Sequence, residues 1–258
     1  MTMWRRLLRL NETYLAILIV LLGVIISIAN PSFLTAENIF GFLKSYSMVG
    51  IMAVGTLFVL ILGGTPDVSF TAIAQVVEYA VVAGTLAWGG NIYLAILAAA
   101  LMGAVMGLAN GLVVHYFRVP TIIVTIATFN IYFGLMYVIT RGKLINDIPP
   151  MFKSFGNVLL FPASSSIGGT YGLSLLPLIW LAALALGWFI LRRTFLGRSI
   201  FAMGGNEVAA GRVGIRTMMT RVFVFTFVGL LSGIAGVVHV SIVQSVVPNI
   251  IVGKELEV

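Results

Sequence analysis

Seven apolar stretches of membrane-spanning length follow one another along this chain, and that succession decides the fold class before any motif is read. A helix crossing the hydrocarbon core needs about 20 predominantly apolar residues. The runs at 10–29, 46–62, 68–88, 92–117, 119–140, 173–191 and 222–243 supply them. Between them stand helix interrupters: Asn30-Pro31, Gly63-Gly64-Thr65-Pro66, Gly89-Gly90-Asn91, Arg118-Val119-Pro120 and Arg141-Gly142-Lys143. In lipid the backbone must satisfy its own hydrogen bonds, which leaves helices as the spanning form for runs this long. The reading is an all-α polytopic membrane protein, a multi-span helical bundle, with residues 1–258 as a single transmembrane domain. Composition agrees. Charged residues make up 9% of the chain, against about 25% in globular proteins.

The basic residues set an orientation. Six arginines and one glutamate fall within 192–221, and Arg5, Arg6 and Arg9 precede the first run. Loops rich in Lys and Arg stay cytoplasmic, so both segments are expected inside. Six runs lie between them, an even number, as that arrangement requires. Arg118 then falls inside, and the 141–172 loop, with Arg141, Lys143, Asp147 and Lys153, falls outside. The N-terminal pattern resembles a signal peptide, but Asn30-Pro31-Ser32-Phe33 is a poor cleavage site, so an uncleaved first span is expected. Seven spans with no final cytoplasmic tail lead to the further expectation of a C-terminally truncated chain. The formal charge of +7 forms no stripe interleaved with aromatics, and no nucleic-acid partner is expected.

Polar groups inside the apolar runs are costly and mark function or a structural pair. Asp67, Thr71, Gln75 and Glu78 in the third run are spaced by four, four and three, which puts them within about 80° on one helix face. Tyr79 and Ser69 flank them. This stripe is the candidate lining of a hydrophilic path; the alternative is interhelical hydrogen bonding that holds the bundle together. The fourth run carries Gly103, Gly107 and Gly111 with Ala99 one step earlier, and the seventh carries Gly229 and Gly233. Small residues at every fourth position make a ridge for close helix packing. Asn110, Asn130, His115 and His239 stand as isolated polar groups, more in keeping with structural hydrogen bonding than with ligation.

Several chemistries are excluded. With no cysteine, the chain has no disulfide framework, thiolate metal site or thiol nucleophile. No His/Asp/Glu cluster has metal-ligand spacing, no nucleophile–base motif occurs, and the phosphate-binding pattern G-x-x-x-x-G-K-[ST] is missing. No cofactor, metal or catalytic residue is expected, and any energy source lies in another subunit or an ion gradient.

Two segments match a known family. Gly63-Gly64-Thr65-Pro66-Asp67-Val68-Ser69 resembles the Gly-Gly-x-Asp-Leu-Ser signature of ribose-type sugar ABC permeases, whose relatives handle ribose, xylose, galactosides and autoinducer-2. The stretch with Gly197-Arg198, Ala202, Gly204-Gly205-Asn206-Glu207, Ala209-Ala210 and Gly214-Ile215 resembles their cytoplasmic loop. The exterior Thr140-Arg141-Gly142, Ile148-Pro149-Pro150 and Phe155-Gly156 are similar as well. Here Thr65-Pro66 supplies two residues where the family has one, and Phe70-Thr71 stands in place of Val-Gly; both alter bend and bulk beside the path. The resemblance implies an importer half of roughly ten spans, so about three would follow residue 258. It also implies a cytoplasmic ATP-binding-cassette ATPase, a second permease copy or homologue, and an exterior sugar-binding protein as partners. Gly197, Arg198, Gly204, Gly205, Asn206, Glu207, Ala209 and Ala210 are then the ATPase-coupling residues.

The residues themselves support a folded knob there. Asn206 is a good helix N-cap with Glu207 in the first turn, where a carboxylate favours the dipole. A short helix over 207–213 is expected. Two other functions stay open at this point: a branched-chain amino-acid-type ABC permease, and a proton-coupled secondary transporter with Glu78 as proton carrier. The latter class shows inverted repeats, and no second copy of the Gly-Gly-Thr-Pro-Asp break occurs.

Overall fold

The computed structural model describes residues 11–63, 65–164, 170–251 and 253–258. Arg5, Arg6, Arg9 and Gly64 lie outside them. Helix α1 (Asn11–Ala29) is followed by α2 (Ala36–Gly63), α3 (Ser69–Trp88), α4 (Ile92–Phe117) and α5 (Thr121–Thr140). Next come α6 (Pro150–Gly156), strands β1 (Leu159–Ser164) and β2 (Thr170–Ser174), α7 (Leu175–Arg193), α8 (Phe195–Arg212) and α9 (Thr217–Val243). Six of these, α2, α3, α4, α5, α7 and α9, are long and apolar enough to cross a membrane. The protein is a polytopic helical bundle.

Helices run past the apolar stretches that announce them. The run at 46–62 is the crossing part of α2, which starts at Ala36 because Thr35 Oγ1 accepts from Asn38 N (3.3 Å) and Glu37 sits in the first turn. Likewise α9 begins five residues before Val222. The segment between α5 and α7 is not wholly irregular. Pro150 opens α6 at the position where a missing N–H costs nothing. The antiparallel hairpin β1–β2 pairs Leu159 with Ser174 and Leu160 with Leu173, with an irregularity between Leu160 and Ala163. This two-stranded hairpin is an extramembranous addition to an otherwise helical bundle.

Helix α9 is the hub, buried along most of its length, with α2, α3 and α4 around it. Its contact with α4 is a glycine-on-glycine seam. A Cβ on Gly103 would collide with the Gly229 carbonyl, one on Gly107 with the Phe225 carbonyl, and one on Gly233 with the Ala99 carbonyl. On the α2 side the core is aromatic and aliphatic, with Phe58 and Phe227 ring centroids 4.9 Å apart beside Ile51 and Val224. Helix α1 and the outer faces of α4, α5 and α7 expose Leu, Ile and Val, such as Ile19, Val105 and Val138. Lipid tolerates that surface; water does not.

The breaks sort to two sides. Thr65, Arg118, Pro120 and Glu207 line one cavity. On the opposite side Ile145 and Val246 exchange two backbone hydrogen bonds (3.0 and 2.9 Å), and Lys44 Nζ lies 3.3 Å from Asn157 Oδ1.

Candidate functional site

The polar stripe is wholly inside the protein: Thr71, Gln75 and Glu78 on α3, and Asp67, which precedes the helix rather than lying on its face, are each 0–1% exposed. Gly236 brings α9 onto it, since a Cβ there would stand 2.6 Å from the Ala74 carbonyl and 3.2 Å from Glu78 Cβ. One turn further along α9, His239 Nδ1 lies 2.9 Å from Glu78 Oε1. The other carboxylate oxygen, Oε2, has no hydrogen-bond partner. Gln75 Oε1 accepts from the backbone N–H of Ile251 (2.8 Å), while its Nε2 is also unpartnered. Thr71 Oγ1 turns back to the Val68 carbonyl at 3.3 Å.

At the other end of the stripe Asp67 anchors a network. Its Oδ1 accepts from Ser69 N (2.7 Å) and Ser69 Oγ (2.6 Å), an Asx-type turn that starts α3. Ser69 Oγ accepts from Asn110 Nδ2 (2.7 Å), and Asn110 Oδ1 accepts from Tyr132 OH (3.3 Å). The network ties α3 to α4 and α5. His239 and Asn110, which read as isolated in the sequence, both have partners on other helices. Asn130 bonds its own helix through the Ile126 carbonyl, and Tyr79 OH reaches the Lys143 carbonyl. His115 Nδ1 is buried without a partner beside the cavity.

The segment between α7 and α9 is mostly helix rather than loop. Thr194 Oγ1 caps α8 by accepting from Gly197 N (3.1 Å), and a Cβ on Gly197 would collide with the Leu191 and Ile190 carbonyls. Arg198 lies over the Phe195 ring at 5.7 Å. The helix expected at 207–213 is the second part of α8. It is set off by a kink at Asn206 (φ −161°, ψ 105°), whose Oδ1 caps it through Ala209 N at 2.9 Å. Gly204 and Gly205 are both exposed, but a Cβ on Gly204 would collide with the Ile61 carbonyl at the end of α2, whereas one on Gly205 would meet open space. Ala210 is buried and its carbonyl accepts from Ile215 N (3.1 Å), closing the helix; Gly214 takes the left-handed turn (φ 89°). Glu207 Oε2 pairs with Arg221 Nη2 at 2.5 Å. Ala209 and the apolar Phe201, Val208 and Val213 are exposed.

Between α8 and the ends of α2, α4 and α5 lies a cavity of about 720 Å³, lined by Thr65, His115, Arg118, Glu207, Thr217 and Arg221 among others. Gly63 and Thr65, which precede Asp67 in the chain, are both in its wall. The opposite end of the stripe is covered by the segment after α9, with Val246 and Ile251 both fully buried.

Comparison with known proteins gives a consistent result. The family described as branched-chain amino acid transport system / permease component matches residues 38–258. The ribose import permease protein RbsC of Haemophilus influenzae is 33% identical over 244 residues, 93% of this chain and 72% of that protein. The L-arabinose ABC transporter permease protein AraH of Azospirillum brasilense is 31% identical over 252 residues, 96% of this chain and 70% of that protein. The autoinducer 2 import system permease protein LsrC of Yersinia pseudotuberculosis is 31% identical over 236 residues, 90% and 63%. No solved structure matches significantly.

Proposed function

Because this chain belongs to the branched-chain amino acid transport system / permease component family, alongside sugar ABC permeases, we propose that it is the subunit through which a monosaccharide or sugar-like solute crosses the cytoplasmic membrane. The importer is binding-protein-dependent. The observation that carries this is the 33% identity to a ribose import permease across 93% of the chain. The amino-acid alternative is not favoured: the family's description names that class, but the relatives above are named for ribose, arabinose and autoinducer-2.

The N-terminus and the α8 side face the cytoplasm, and residues 1–258 act as one transmembrane domain in which α1, with its apolar exposed surface, is a seventh span beside the six helices named above. Hydrolysis of ATP belongs to a separate ATPase, and a second permease copy or homologue and an exterior sugar-binding protein complete the importer. The geometry of α8 supports the coupling role of Gly197, Arg198, Gly204, Gly205, Asn206, Glu207, Ala209 and Ala210. Its exposed face offers Gly205, Glu207 and Val208 to a partner, while Gly204 seats the same helix on α2. A push on α8 is therefore delivered to α2 and the cavity wall as rigid-body motion. The stripe Asp67, Thr71, Gln75 and Glu78 lines the solute path.

Uptake of radiolabelled D-ribose and L-arabinose into proteoliposomes tests this reading. Uptake is expected only when the ATPase, the binding protein and ATP are all supplied. ATP-independent uptake that collapses when a proton gradient is dissipated would overturn it.

A further inference from the structure

We propose that Gln75, Glu78 and His239 form a recognition site for neighbouring hydroxyl groups of the transported sugar, closed from the exterior by the segment 244–251. The proposal rests on the sugar-permease reading and deepens it. Among the described residues, three buried side-chain polar atoms lack a hydrogen-bond partner, and two of them are Gln75 Nε2 and Glu78 Oε2. They lie three residues apart on one face of α3, a separation of about 4.5 Å along the axis. Other buried polar groups of the bundle bond their own helix: Thr56 to Met52 O, Ser232 to Val228 O and Ser241 to Val237 O. An unpaired buried group carries the desolvation cost of its lost water with nothing to offset it. Two on one face, in a helix otherwise satisfied, mark a site rather than an accident of packing.

Each side chain is oriented by its other atom. Gln75 Oε1 is fixed by the Ile251 N–H, which leaves its Nε2 as a directed donor. Glu78 Oε1 is fixed by His239 Nδ1, which leaves Oε2 as a directed acceptor. A fixed donor beside a fixed acceptor suits a ligand whose adjacent groups each donate and accept, which is the property of a hydroxyl pair. An ammonium group fits poorly: it has donors only, and would leave Gln75 Nε2 unpaired beside a positive charge. The cover is built as well. Val246 and Ile251 are fully buried, and the Ile145–Val246 backbone pair staples the segment to the exterior loop. Release of the Ile251 N–H would free a third polar atom, Gln75 Oε1, for the sugar.

The test is uptake by the complete importer in proteoliposomes, measured for D-ribose and L-arabinose and for their monodeoxy analogues. The binding protein contributes the same preference in every variant, so changes in the parent-to-deoxy ratio report the permease. Gln75→Leu and the isosteric Glu78→Gln are each expected to lower that ratio about tenfold, because a site built to bond a hydroxyl loses its discrimination with the bonding group. The ratio is independent of how much protein folds, and Glu78→Gln preserves shape if Gln75→Leu does not assemble. Uptake in which parent and deoxy sugar fall equally, with an unchanged ratio, overturns the proposal and leaves the permease reading intact. A wild-type complex that imports no monosaccharide of a panel of pentoses and hexoses, nor autoinducer-2, overturns the sugar reading, and the proposal with it.

Discussion

The glycine seam between α4 and α9 can be tested by a methyl group. At Gly107 a Cβ would collide with the Phe225 carbonyl and stand 3.0 Å from Gly229 Cα, so both obstacles are backbone and neither can rotate away. Ordinary contact needs about 3.4–4 Å, and Gly107→Ala therefore forces the two helices apart by about 1 Å. A gap of that size forfeits a quarter to a half of each dispersion contact, worth about 0.1–0.2 kcal/mol per atom pair. A few dozen pairs along three turns then lose about 1–3 kcal/mol, the usual range for overpacking. Against this, alanine gains about 0.5–1 kcal/mol over glycine inside a helix. The net is destabilisation of about 1–2 kcal/mol. Gly134, in the middle of α5 with open space where its Cβ would sit, is the internal control: there the same substitution keeps only the gain. Thermal unfolding of the detergent-solubilised protein should show Gly107→Ala about 3–6 °C below wild type and Gly134→Ala level with it or slightly above. Equal shifts of the same sign at both positions would refute the reasoning, since helix propensity alone would then govern.

Two further outcomes follow from the geometry. Gly204→Val should lower folded yield, because its side chain meets the Ile61 carbonyl, whereas Gly205→Val, facing open space, should fold normally and reduce ATP-driven uptake severalfold. If both variants lose yield alike, or Gly205→Val transports normally, the division of α8 into a seating face and a coupling face is wrong. For the exterior cover, Ile145→Cys with Val246→Cys introduces a pair into a sequence without other cysteines. A hydrogen-bonded antiparallel pair has its Cα atoms about 5.5 Å apart, within disulfide range. Oxidation should arrest uptake and reductant restore it; undiminished uptake by the quantitatively cross-linked protein would show that the segment 244–251 does not move.

The spanning helices were legible because hydropathy is a property of neighbours in sequence, and lipid leaves a long apolar run no other regular form. The cap at Asn206 was legible for the same reason: its partner is Ala209, three residues away. Helix lengths were less so. Polar first turns such as Glu37 and Asn38 dilute the apolar signal without breaking the helix, and the basic segment 192–221 concealed α8 because a surface helix needs no apolar run.

The sequence determined on its own that this chain is a membrane bundle, that the small residues of α4 and α9 form ridges, and that Thr71, Gln75 and Glu78 share one face of α3; Asp67, expected on the same face, precedes the helix and forms the turn that starts it. It could not determine what meets that face. Glu78 finds His239 across 161 positions, and Gln75 finds the Ile251 N–H across 176. A helix fixes the direction of its own side chains every 3.6 residues, but nothing local specifies which helix packs opposite. That was decided by the tertiary structure, through the close approach that Gly236 allows at Ala74 and Glu78. The orphaned Nε2 and Oε2 exist only because the same packing fixes the other oxygen of each side chain and shuts water out.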